Sequence, residues 1–146
     1  MNSKRLNYYA AAPVAMNAMM GLEKAASDSV LPRSLRELVR IRASQINGCA
    51  YCIDMHTTDV THQGETLRRL AALSAWKETP FFNEQERAAL LWTETLTLVA
   101  ATHAPDDIYE KVAAVFNDQE LAELTFVIAV INAWNRFGVG FAMQPE

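Results

Sequence analysis

Cysteine is scarce in this chain: two in 146 residues, at positions 49 and 52, and none elsewhere. A disulfide framework is therefore excluded as the frame of the fold, and the pair points instead to a redox or metal role. There is no glycine-rich phosphate loop, low-complexity linker or clear internal repeat. Basic residues are outnumbered, 13 Lys and Arg against 17 Asp and Glu, for a net charge of −4. With no basic run and no basic patch interleaved with aromatics, nucleic acid is not expected as a partner. No apolar run reaches the length of a membrane span, so no membrane association is expected. No stretch alternates polar and apolar residues as a strand does.

What remains is helical throughout, and the expected fold class is all-α. The length fits one domain, residues 1–146, with a real core. The opening MNSKRLNYYAAAPVAMNAMM resembles a signal sequence only weakly, because Tyr8, Tyr9, Pro13 and Asn17 interrupt it. It reads better as a first helix running to about residue 27, and a cytoplasmic location is expected. Further helices are predicted over about 32–46, 49–63 and 65–76, the last with Leu67, Leu70, Ala71 and Leu73 inward and Arg68 and Arg69 solvated. Asn83 with Glu86 is a capping-box start for a helix to about residue 101, with Leu90, Leu91, Leu98 and Val99 as its apolar set. A short helix follows Pro105, and Asn117 with Glu120 starts the last one. Its segment 121–137, LAELTFVIAVINAWNRF, is apolar on nearly every side. Such a helix is either the centre of the fold or buried partly against a neighbouring subunit. Trp76, Trp92 and Trp134 read as core residues, and Met16, Met19 and Met20 as packing or subunit contact.

The chemistry concentrates in residues 37–56, ELVRIRASQINGCAYCIDMH. Asn47-Gly48 is a stop signal between two helices, since glycine readily takes the left-handed conformation that ends a helix. On the second helix Cys49, Cys52 and His56 fall at i, i+3 and i+7, one face. If the two helices fold back as a hairpin, Glu37 lies roughly 15 Å from the turn and His56 roughly 12 Å, at 1.5 Å per residue. Glu37 is thus within reach of His56. A thiolate, not a thiol, attacks a peroxide or disulfide, and the positive end of a helix favours the thiolate. His56 is placed to take the proton of Cys52, and a carboxylate behind it would orient the ring. Oxidation of one sulfur to sulfenic acid, followed by attack of the other, closes a disulfide.

The same residues carry plainer readings. Cys49, Cys52 and His56 offer three zinc ligands where structural zinc usually takes four, with only His62 and His103 as further histidines. Glu37 follows Ser34 by three residues, which is also a capping box. Two buried, inert cysteines are a third reading.

The pattern Glu-x11-Cys-x2-Cys-x3-His, Glu37 through His56, resembles the alkylhydroperoxidase AhpD branch of the carboxymuconolactone decarboxylase family. The likeness covers residues 31–58, LPRSLRELVRIRASQINGCAYCIDMHTT. It implies an AhpD-like helical bundle with the CxxC motif at the start of a helix in a hairpin. It also implies Cys52 as the attacking thiol, Cys49 as its resolving partner, and His56 and Glu37 as a proton relay. The best-known peroxidases of the family carry a histidine immediately before the second cysteine; here that residue is Tyr51. The activity implied is reduction of hydroperoxides through a dithiol/disulfide cycle in antioxidant defence. A thioredoxin-like protein or other dithiol would be the reductant, no metal, flavin or haem would be needed, and the chain would assemble as a homotrimer or homohexamer. Two alternatives stand beside it: a lactone decarboxylation on the same fold, against which the redox pair argues, and a non-catalytic assembly protein, zinc-stabilised or purely structural.

Overall fold

The structure, a computed structural model, describes residues 3–145. Among them the chain forms α1 (Tyr8–Ala11), α2 (Pro13–Ser27), α3 (Arg33–Asn47), α4 (Ala50–His62), α5 (Leu67–Ala72), a 3₁₀ segment (Leu73–Glu78), α6 (Glu84–Thr97), α7 (Val99–Thr102), α8 (Asp106–Ala113) and α9 (Asp118–Gly140). The expected all-α class holds. The one β feature in this range is an isolated antiparallel bridge between Ser3 and Met143. None of these helices is long and apolar enough to cross a membrane.

Helix α3 is the hub, packed against α4, α6 and α9. Its two apolar edges serve two clusters. Leu35 and Val39 join Trp92, Leu124 and Ile128, between α6, α8 and α9. Leu38 and Ile41 join Val60, Leu73, Trp76 and Leu90, between α4, the 3₁₀ segment and α6. Each such side chain, taken fully out of water, contributes about 1.5–3 kcal/mol. The third face of α3 is polar and yet buried, with Glu37, Arg40 and Ser44 on it. Buried charge needs partners, and Glu37 and Arg40 find one in each other.

The capping boxes read from the sequence are both present, Asn83 with Glu86 and Asn117 with Glu120. Elsewhere the structure corrects the expectations. The first helix is two, broken at Ala12 (φ −135°, ψ 61°), with Pro13 opening α2. The helix expected over 65–76 starts at Leu67, which is exposed, and tightens into the 3₁₀ segment after Ala72. Arg69 is not solvated: its guanidinium bonds Glu65 (2.9 Å) and Glu86 (2.6 Å) and lies over the Phe82 ring. Helix α6 stops at Thr97, and Leu98 and Val99 are half exposed rather than part of its inner face. Helix α9 is central on one side only. Leu124, Val127, Ile128 and Ile131 are buried, while Ala122, Ala129, Arg136 and Val139 are exposed. Trp76 and Trp92 are core residues as expected, but Trp134 is half-buried and lines a cavity.

Candidate active site

The site is built on the turn between α3 and α4. Gly48 ends α3 in the left-handed region (φ 68°), where a side chain would be strained. Cys49 is the N-cap of α4, and its Sγ accepts the backbone N–H of Cys52 at 3.3 Å. Both cysteines therefore sit at the positive end of that helix. They are joined in a disulfide, with their Cα atoms 5.4 Å apart. Both are almost fully buried, at 2% and 3% exposure.

The two sulfurs have different surroundings. Cys52 lines a cavity of about 680 Å³ between α1, α2, α3, α4 and α9. Cys49 does not line it; it packs against the backbone of α9 at Gly138. A Cβ placed on Gly138 would stand 2.5 Å from Cys49 Sγ and 3.4 Å from Cys52 Sγ. Only a residue without a side chain lets α9 approach the disulfide this closely.

One turn beyond Cys52, the buried His56 lines the same cavity. Its Nδ1 lies 2.8 Å from Glu37 Oε2. A carboxylate only accepts, so Nδ1 carries the proton and Nε2 is left to exchange one on the cavity side. Glu37 Oε1 accepts from Arg40 Nη1 at 2.8 Å, and Arg40 Nη2 also bonds Glu23 (2.8 Å) and Ser27 (3.2 Å). Burial pushes the Glu37 carboxyl up, but His56 and Arg40 outweigh it and hold it below the ordinary carboxylate value. The hairpin thus brings Glu37 to His56 as the spacing predicts, and Glu37 does not cap α3 with Ser34.

Three phenols face the same space. Burial, with Tyr9 and Tyr51 nearby, pushes the Tyr8 hydroxyl up to about 12, so it stays a proton donor at neutral pH. Tyr51, next to Cys52, is half-buried and lines the cavity. His62 and His103 do not line it. His103 caps α7 in the left-handed conformation (φ 54°). Among the described residues no three His, Cys, Asp or Glu side chains are grouped to hold a metal ion, and the disulfide occupies both sulfurs.

Residues that sequence reasoning passed over complete the site. Asn47 Nδ2 donates to Asn132 and Asn135 Oδ1, both at 2.9 Å, and Asn135 Nδ2 donates to Ser44 Oγ at 2.9 Å. This chain ties the α3 end of the turn to α9. A glycine inside a helix costs about 1 kcal/mol relative to alanine, so Gly138 was the one visible signal of a close approach. Asn135 and Arg40 carried none.

The model of the carboxymuconolactone decarboxylase family matches residues 13–95. The uncharacterized protein YdfG of Bacillus subtilis (strain 168) is 42% identical over 137 residues, 94% of this chain and 93% of that one. The crystal structure of ATU0492 from Agrobacterium tumefaciens is 43% identical, covers 97% of each chain and superposes with a TM-score of 0.94. That protein is of unknown function and provisionally named an antioxidant defence protein AhpD. An uncharacterized peroxidase-related protein from Silicibacter sp. TM1040 is 23% identical, over 90% of this chain and 70% of that one, with a TM-score of 0.79. At that identity the likeness speaks to the fold alone.

Proposed function

The chain belongs to the carboxymuconolactone decarboxylase family, and from that premise we propose that it is a thiol-dependent hydroperoxidase of the AhpD type, acting in antioxidant defence. The observation that carries this reading is the asymmetry of the disulfide: Cys52 faces the cavity beside His56, and Cys49 sits behind it against Gly138.

In the reduced protein His56 takes the Cys52 proton at Nε2, and Glu37 holds the imidazolium through Nδ1. The Cys52 thiolate attacks the distal oxygen of ROOH. The S–O bond forms, the O–O bond breaks, and its electron pair leaves on RO⁻, which takes up a proton to give ROH. Cys52 is now a sulfenic acid. The Cys49 thiolate attacks Cys52 Sγ; the S–S bond forms, the S–O bond breaks, and hydroxide leaves as water with a proton from the relay. Two thiols have lost two electrons and the peroxide has gained them. A thioredoxin-like protein or small dithiol then reduces the disulfide by exchange. Tyr51 stands immediately before Cys52, and a phenol there adds no second imidazole to the relay. Turnover is accordingly expected to be slow.

Free-thiol titration with mass analysis tests the scheme. One equivalent of cumene hydroperoxide should remove both thiols of the reduced protein and leave an intramolecular disulfide. Cys52→Ser should consume no peroxide. Cys49→Ser should react once and leave a sulfenic acid that dimedone traps. If Cys52→Ser reacts and Cys49→Ser does not, the roles are reversed; disulfides between chains as the main product would remove Cys49 as resolver.

A further inference from the structure

Arg36 is buried in the cavity wall without a counter-ion. It sits on α3 one residue before Glu37 and is 9% exposed. Its Nη1 donates to Ser29 O at 2.8 Å, but its buried Nε has no partner. Among the described residues no carboxylate stands within 4.0 Å of its guanidinium, nor of Arg33, an exposed residue that lines the mouth of the same cavity one turn earlier. Arg40, one turn later, is satisfied by Glu37, Glu23 and Ser27. The acids in the wall do not compensate Arg36. Glu37 is held by Arg40 and His56, and Glu23 by Arg40 and Trp134 (3.0 Å). Asp59 is exposed on the outer turn of α4. Burial, and the positive charges of Arg40 and Arg33, push the Arg36 guanidinium below its ordinary value against the pull of Glu37 and Asp28.

A buried cation left unpaired is costly, and the cost is recovered when a ligand brings the anion. Elsewhere the wall offers aromatic rings and thioethers, from Tyr8, Tyr9, Tyr51, Trp134, Met20 and Met55, beside polar groups such as Ser27 and the phenol hydroxyls. Aromatic faces and thioethers suit an aromatic body. At about 680 Å³ the space suits a small organic molecule, not peroxide alone.

We propose that this cavity binds aromatic carboxylates, with the carboxylate on Arg36 and Arg33 and the ring against the tyrosines and Trp134, and that the enzyme prefers hydroperoxides of that class to neutral ones. The substrate half of this statement rests on the peroxidase reading above; the binding half does not.

The first arm of the test uses the oxidised protein. Binding of 4-isopropylbenzoate is compared with its neutral isostere 4-isopropylbenzyl alcohol by calorimetry, across a salt series. The anion should bind at least about tenfold tighter, because a charge-assisted hydrogen bond to a buried site is worth that much. Salt should reduce the advantage, Arg36→Gln should abolish it, and Arg33→Gln should lower it. Equal binding of acid and alcohol, a salt-independent preference, or a preference that survives Arg36→Gln overturns the inference. If Arg36→Gln does not fold, Arg36→Lys keeps the charge, and the wild-type salt series with Arg33→Gln decides. The second arm compares cumene hydroperoxide with its 4-carboxylate, where about a tenfold preference in kcat/KM should appear mainly in KM. Anion binding with no consumption of either hydroperoxide sinks the peroxidase reading and leaves the binding site standing. Equal consumption of both, with equal binding, leaves the peroxidase reading and removes this inference.

Discussion

Gly138 meets the tightest steric limit at the site, because the atom it lacks would overlap Cys49 Sγ. Gly138→Ala must push the disulfide or α9 aside, and forced overpacking of this kind costs about 1–3 kcal/mol. The oxidised form should lose more than the reduced form, in which the two sulfurs are free to move; thermal melts with and without reductant read the difference, and equal losses would place the strain elsewhere. Glu37 is a second single-residue case. Its carboxyl is held below the ordinary value of 4.5, so its contribution to stability is present above that pH and is lost as pH falls through the lower folded value. Glu37→Gln should therefore be less stable than the wild type at neutral pH, and the gap should narrow below about pH 4.5. A constant gap down to strong acid would separate Glu37 from the His56 and Arg40 pairings. The relay itself predicts non-additivity. His56→Ala should move the pH profile of Cys52 alkylation upward and slow it at neutral pH. Glu37→Gln should do so less, and the double variant little more than His56→Ala alone, since members of one relay act as a unit. Additive losses, or none, would leave the relay unsupported.

At the scale of elements, α3 shows why a site can be held rigidly in a small bundle. Its two apolar edges anchor it to both clusters, and its polar face is locked by hydrogen bonds rather than left to water. The Asn47–Asn135–Ser44 chain fixes its last turn to α9, one turn from Gly138. Asn135 is buried, so Asn135→Ala leaves the partner groups of Asn47 and Ser44 with one bond fewer, at about 1–3 kcal/mol. Asn117→Ala removes only the exposed capping box of α9, at about 1 kcal/mol. Denaturant melts should rank Asn135→Ala as the more destabilised, and only that variant should also speed reduction of the disulfide, because only it frees the turn that carries Cys49. Equal reduction rates would mean that the α3–α4 turn is held without α9.

For the whole molecule, the apolar surface is the feature that calls for a partner. Val14 is 83% exposed, and Leu22 and Met20 on the same helix are nearly half exposed. Leu98, Val99 and Val139 are similarly open on other elements. The outer side of α9 presents small residues, Ala122 and Ala129, which let another helix approach closely. We expect a homotrimer or larger assembly in dilute solution. Light scattering at micromolar concentration checks this, and a monomer would overturn it.

Fold and site are legible in the chain to different degrees. Helix starts marked by Asn83 and Asn117 and the stop at Gly48 were local matters, set by one side chain or one backbone conformation, and sequence spacing alone placed them. The same holds for Cys52 and His56 on one face of α4, because helical periodicity requires it, whereas Cys49, expected on that face, is the extended N-cap before the helix. Reading burial from apolar content failed where packing decided it. Helix α3, with five charged residues, became the hub because its polar face found partners in Glu23 of α2 and His56 of α4. Helix α9, far more apolar, kept one side open. The contact between Gly138 and Cys49 joins residues 89 positions apart, and Arg36 lies against a cavity walled by five helices. The chain by itself determined the all-helical class, the thiol pair and the family. Which sulfur faces the cavity, what lines it, and which charge is left unpaired were decided only by tertiary packing, because those properties belong to distances between elements and not to any one of them.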